Sequence, residues 1–314
     1  MKSVKHTSIA IVLVVGIFWL LAPQLAIGKI SVVDDAGNVI TLPRPAKRIV
    51  SLYGGITEIV CAIGACDQLV GVTKRDSWPP QVRRKTKIGT HMRPNLELIL
   101  GLKPDLVIQG SARPGSQLVV GKLRMMGIKV ALFNPHDLDG LYSTIERIGI
   151  LTGREKEARG LVNQMQARIK KCQARYPIGN RPKVIFEVSY PSLLFAGRKN
   201  IVSDIIYQAG GINVVTKNKK FVRYSLEQLI LDDPDVYIVQ KGPMNRNVPP
   251  PSKRPNFDSL RAVRQGHVLF VDEFLFSRPG PRVVDAIEQL RKYLYEISES
   301  SSSSRASKAK EAVN

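Results

Sequence analysis

Hydrophobic positions along the chain fall into short runs divided by turn residues and by stretches at helical spacing. Ile30-Ser31-Val32-Val33 and Val39-Ile40-Thr41-Leu42 flank Asp34-Asp35-Ala36-Gly37-Asn38, so residues 30–42 read as a β-hairpin. Ile49-Val50-Ser51-Leu52 is a short apolar strand that runs into Gly54-Gly55 and a helical stretch from Thr57 to Ile63. Strands follow at Leu69–Val72, Asp105–Gln109 and Lys129–Phe133, with helical patterns at Leu96–Leu102 and over 137–152. Strand and helix in alternation predict an α/β fold with mainly parallel sheet covered by helices.

The second half repeats the scheme. Lys183–Val188 reads as a strand, Ile201–Ala209 as a helix closed by Gly210-Gly211, and Asp235–Gln240 as a strand. Leu102-Lys103-Pro104-Asp105 and Leu231-Asp232-Asp233-Pro234-Asp235 precede matching strands, which hints at two similar lobes. His267–Val271 is a late strand and Val283–Ile297 a closing helix. Between the halves, Glu155, Ala158, Leu161, Val162, Met165 and Ile169 fit one long amphipathic helix, stopped by Pro177. A helix of about 24 residues spans roughly 36 Å and would stiffen the connection.

The termini differ from this pattern. Lys2 and Lys5 precede the apolar run Ile9–Ala22, and Ala26 and Gly28 occupy the −3 and −1 positions of a cleavage site. A basic start, a short apolar run and small residues at the exit predict a cleaved secretory signal peptide. The alternative is an uncleaved membrane anchor, which the shortness of the run disfavours. From Ser298 onward the Ser-rich, low-complexity sequence predicts disorder. The expected organisation is therefore signal peptide 1–28, first lobe 29–152, inter-lobe helix 153–177, second lobe 178–297 and tail 298–314.

The formal net charge is +21, with basic residues spread along the chain and no dense basic helix interleaved with aromatics. Spread charge on an exported chain argues against a nucleic-acid role and reads first as a solvated basic surface, the alternative being that some of the arginines and lysines attract an anionic ligand or an acidic partner. Three cysteines make no disulfide framework. A bridge between Cys61 and Cys66 is conceivable in an oxidising compartment, but all three, Cys172 included, read first as packed side chains. No G-x-S-x-G, P-loop or H-E-x-x-H occurs, so no enzyme class is suggested; a hydrolase is the remaining enzymatic alternative. His91, His136 and His267 are too few and too scattered for a free-metal site.

Several segments taken in order resemble the periplasmic binding proteins for iron-siderophore, haem and cobalamin uptake. They are Val32–Asn38 with Leu42–Leu52, Thr57-Glu58-Ile59 with Ile63-Gly64-Ala65, Leu69–Val72, Trp78-Pro79-Pro80 and Pro94–Glu97. Leu102–Val107, Ala209–Val214 and Ser277-Arg278-Pro279-Gly280-Pro281-Arg282 complete the series. The resemblance spans about residues 30–296. It implies a monomeric binding protein with a ligand cleft between two lobes joined by a rigid helix. It also implies one exposed carboxylate per lobe that pairs with arginines on the membrane subunits of an ABC importer. Those carboxylates fall on Glu97 and Glu227. A sensory or storage protein with the same fold and no transporter is the alternative.

Ligands of α/β sheets sit beyond the carboxyl ends of the strands. In the first half those loops hold Tyr53, Arg75, Trp78, His91, Arg93 and Arg113. In the second they hold Tyr190, Phe195, Arg223, Tyr224, Lys241, Phe274 and Phe276. Aromatic walls suit a large flat or amphipathic ligand, and arginines suit its carboxylate or phosphate arms. The aromatic positions of cobalamin-binding relatives fall near Arg75, His91 and Phe221, of which only Phe221 keeps an aromatic carbocycle. His91 is a candidate axial ligand of a chelated metal. The expected ligand is thus a metal chelate, with no resident cofactor and a periplasmic location.

Overall fold

The computed structural model describes residues 29–110 and 114–311. The expected signal peptide, residues 1–28, and Arg113 lie outside the described residues. The chain opens with the antiparallel hairpin β1 (Ile30–Val33) and β2 (Val39–Leu42). Its turn is held by the Asp34 carboxylate, which accepts from the backbone N–H groups of Ala36, Asn38 and Leu132.

Five parallel strands then form the first sheet, in the order β5 (Thr86–Lys87), β4 (Leu69–Val72), β3 (Ile49–Ser51), β6 (Leu106–Gln109), β7 (Val130–Leu132). Its helices are α1 (Gly54–Ala62), α2 (Leu96–Gly101), α3 (Pro114–Met125) and α4 (Leu138–Thr152). The second sheet is mixed, in the order β11 (Phe221–Arg223), β9 (Leu194–Ala196), β8 (Lys183–Ser189), β12 (Val236–Lys241), β13 (Val268–Asp272). The short β10 (Ile212–Asn213) pairs with the start of β8. Its helices include α6 (Ile201–Gln208), α7 (Leu226–Asp232), α8 (Arg261–Arg264), α9 (Glu273–Phe276) and the closing α10 (Val283–Glu311). The chain thus has the expected α/β fold of two lobes joined by a long helix.

That helix, α5, runs Glu155–Arg175. Its N-terminal half packs on α4, where Ala158 sits so close to Gly149 that a Cβ there would lie 2.5 Å away. Its C-terminal half faces α10, and Arg168 pairs with Asp285 and Glu288 at 2.7 and 2.6 Å. Strand side chains alternate between faces. Ile49, Leu106, Ile108, Val184 and Phe186 point into one core that also takes Met165 of α5 and Ile287 of α10. Their neighbours Val50, Val107 and Ile185 point into a separate outer core on each lobe. One continuous core through both lobes and the connector makes them a single packed body.

Two expectations are corrected. Cys61 and Cys66 form a disulfide rather than packing as free thiols. The helix ends at Ala62, Gly64 turns the chain back at a φ of 76°, and the two Cα atoms meet at 4.0 Å. Cys172 is free and buried. The segment from Ser298, expected to lack structure, continues α10 as far as Glu311. Its first serines are satisfied inside the helix: Ser298 and Ser300 donate to the Tyr295 and Ile297 carbonyls at 2.7 and 2.9 Å. The Ala, Lys and Glu residues beyond are strong helix formers.

Candidate functional site

The parallel strands of both sheets aim their carboxyl ends at the space between the lobes. Tyr53 lies two residues past β3, Thr73 and Arg75 follow β4, and Gly110 follows β6. From the other side come Val188 at the end of β8, Pro243 and Met244 after β12, and Glu273 and Phe274 after β13. These residues line one cavity of about 180 Å³, together with His91, Asn200, Lys220, Phe221, Ser277 and Arg278. Ligand pockets generally measure about 300–1,000 Å³, so a tetrapyrrole-sized guest requires the lobes to part further.

The walls are aromatic and the charge is mostly positive. The Tyr53 ring stands edge-on to His91, with centroids 6.1 Å apart. Arg278 lays its guanidinium over the Phe274 ring at 3.8 Å, a cation–π contact within the cavity lining. Arg75 and Lys220 are exposed at the rim. Glu273 is the one carboxylate among the lining residues, and it accepts from the Met244 backbone N–H at 2.8 Å. Burial pushes its carboxyl above the ordinary range, and that donation and the charges of Arg278 and Arg75 only partly offset the effect.

A joint between the lobes borders this cleft. Glu58 of α1 is 4% exposed and accepts two hydrogen bonds from Arg282, at 2.9 and 2.7 Å. Arg278 approaches the same carboxylate at 3.9 Å. The Arg282 guanidinium also lies 5.3 Å from the Trp78 ring centroid. Backbone packs against backbone here: a Cβ on Gly55 would stand 2.2 Å from the Pro279 carbonyl oxygen.

The sequence-predicted residues divide into two groups. Tyr53, Arg75, His91, Phe221 and Phe274 converge on the cavity. Phe276 does not, because it is wholly buried and stacks on Phe186 in the core. Tyr190 is turned inward by Arg254, whose guanidinium lies 4.0 Å from its ring while pairing with the buried Glu187. Tyr224 packs on Phe195, and burial together with the nearby Asp232 carboxylate pushes its hydroxyl well up. Arg93 and Arg223 are exposed outside the cavity, Trp78 belongs to the joint, and Lys241 lies over Phe270. Sequence reasoning missed Lys220, Glu273 and Arg278. The available signal was the segment Ser277–Arg282, where two arginines follow a short helix rather than a strand.

Glu97 and Glu227 occupy equivalent places, one per lobe. Each is the second residue of a short helix, α2 or α7, capped by Asn95 or Ser225, whose side chains accept from Leu98 and Gln228 backbone N–H. Both carboxylates are exposed. The Glu227 carboxyl is held below its usual value by its own backbone N–H and the Ser225 hydroxyl. Exposed aliphatic side chains flank them: Leu98 and Leu100 on one helix, Ile230 and Leu231 on the other.

Among the described residues, no group of three or more His, Cys, Asp and Glu is placed to hold a metal ion, and no helix is long and apolar enough to cross a membrane. Residues 49–274 match the periplasmic binding protein family. The chain is 31% identical over 270 residues to an uncharacterized ABC transporter substrate-binding lipoprotein, YvrC, of Bacillus subtilis, covering 84% of this chain and 85% of the relative. It is 26% identical over 264 residues to the vitamin B12-binding protein of Vibrio cholerae, covering 82% and 92%. The solved structure of the periplasmic heme-binding protein RhuT from Roseiflexus sp. RS-1 superposes with a TM-score of 0.70 at 29% identity, over 80% of this chain and 98% of the other.

Proposed function

The chain belongs to the periplasmic binding protein family, and from that premise we propose that it is an exported, non-enzymatic receptor for an anionic metal chelate. The observation that carries this reading is the convergence of Arg75, Lys220 and Arg278 with Tyr53, Phe221 and Phe274 on one cleft. Aromatic faces take a flat or amphipathic body, and the guanidiniums pair with its carboxylate or phosphate arms. Vitamin B12 and heme, the ligands named for the relatives, set the size class. The surplus of positive charge favours a haem-like or siderophore-like guest with acidic arms. His91 is the imidazole within the cleft that would approach a chelated metal.

The receptor works extracytoplasmically, with lobes 29–152 and 178–297 closing on the guest. It then docks as a monomer on the membrane subunits of an ABC importer through Glu97 and Glu227. Their matching helix positions and the aliphatic side chains beside them support a two-point docking face, since one charge pair per lobe fixes orientation and an apolar neighbourhood gives the contact area.

Intrinsic fluorescence titration of the purified protein against ferric siderophores, haem, cobalamin and cobinamide tests the ligand class. Saturable quenching by an anionic member supports the proposal. Silence across the whole panel overturns it.

A further inference from the structure

At the end of the second lobe away from the cleft, just before β8 begins, lies a recess of about 310 Å³. Gln173, Ile178, Arg181, Tyr207, Gly210 and Arg291 line it. Arg291, on α10, is 8% exposed. Its Nη2 donates to the Gln173 carbonyl at 3.1 Å and its Nη1 to the Gln208 carbonyl at a long 3.4 Å. Those carbonyls end α5 and α6, and helix C-termini carry partial negative charge. They meet only part of the need, because the Arg291 Nε–H is buried with no acceptor.

Arg181 repeats the situation from the other wall. One Nη donates to the Tyr207 carbonyl, the guanidinium lies 4.1 Å from the Tyr207 ring centroid, and its Nε–H is buried with no acceptor. Among the described residues neither arginine forms an ion pair, and no carboxylate lines the recess. Burial pushes the Arg291 guanidinium down, and the charge of Arg181 opposes its protonation further. Gly210, at a φ of 92°, is needed for this geometry, since a Cβ would stand 2.9 Å from Ile178 and 3.0 Å from the Arg291 Nη1. Two cations facing one concave space without a counter-charge are unfavourable unless an anion joins them.

We propose that Arg181 and Arg291 form a site for a small free oxyanion, a phosphate, sulfate or carboxylate, distinct from the cleft between the lobes. Both guanidiniums line the recess and keep Nη–H groups beyond those given to the carbonyls, so a tetrahedral or planar oxyanion seated there accepts from both.

The test is isothermal titration of the purified protein with inorganic phosphate, with chloride as the ionic-strength-matched control and the thermal midpoint followed in parallel. Saturable phosphate binding is expected, and Arg181→Gln should weaken it at least tenfold while the circular dichroism and the chelate response stay unchanged. Arg291→Lys, which keeps the charge but loses the planar fork, should weaken it too. No saturable response in the wild-type protein overturns the proposal. An unchanged response in a folded Arg181→Gln protein also overturns it. Binding to phosphatidylglycerol vesicles without any response to free phosphate overturns the assignment to a free anion.

Discussion

Glu58 and Arg282 meet across the two lobes, carboxylate against guanidinium in a two-bond fork of 2.9 and 2.7 Å. They stand 224 residues apart in sequence. One belongs to the first helix of the first lobe, the other to the loop entering the closing helix. The parallel fork geometry is the strongest form of this pairing. It lies on the cleft side, while α5 joins the lobes separately.

Glu58→Gln keeps the shape and removes the charge. Arg282 is then left without its partner, which costs less than the roughly 3–5 kcal/mol of a fully buried pair because a quarter of its side chain is exposed. The urea midpoint should fall with an unchanged m-value. An unchanged midpoint would mean that the pair contributes nothing net.

Glu273 gives the cleft a pH dependence. Its carboxyl titrates above the ordinary 4.5, because burial disfavours the charged form. As pH falls from 7 to 4.5, where a carboxyl raised in this way is more than half protonated, the negative charge opposing Arg75 and Arg278 is lost. Affinity for an anionic chelate should therefore rise toward acid. Glu273→Gln should bind several-fold more tightly at pH 7 and lose this part of the slope, so the ratio of the two affinities is the quantity to measure. A ratio that stays constant across that range would refute the assignment.

Docking separates from capture. Reversing both Glu97 and Glu227 to Lys should abolish stimulation of the transporter ATPase while the chelate dissociation constant stays within twofold. Uptake that survives the double change would rule out handover through these residues.

Asp34 should make the hairpin acid-sensitive. Burial alone would raise its carboxyl, but donations from Asn38, Leu132 and Ala36 outweigh burial and hold it below 3.8. A depressed folded value means that this stability is present above the unfolded value and is lost as pH falls through the folded one. Asp34→Asn should cost about 1–3 kcal/mol at pH 7. The gap between variant and wild-type urea midpoints should narrow below about pH 4.

Strands such as Ile49–Ser51 and Val236–Lys241 were legible because buried parallel strands are continuous apolar runs. The order of the strands was not, because crossovers leave no mark on a local pattern. Aromatic residues near strand ends were ambiguous for a similar reason. Phe221 faces the cavity and Phe276 the core, yet both are single rings beside polar loops. What turned Tyr190 inward was Arg254, 64 positions along the chain, and no spacing rule couples them. The helix α3 escaped because Gly115 and Gly121 weaken its periodic signal.

Most cleft side chains sit just past the last residue of a strand or on the short helix that follows, outside the sheets themselves. The architecture thus separates what must be kept from what can be exchanged. If the cleft binds the guest as proposed, substituting Arg75, Phe274 or Met244 should alter which guest is taken while leaving the strand pairing intact. One scaffold can in this way be retuned among chemically unlike cargoes by a few loop changes, at little risk to folding.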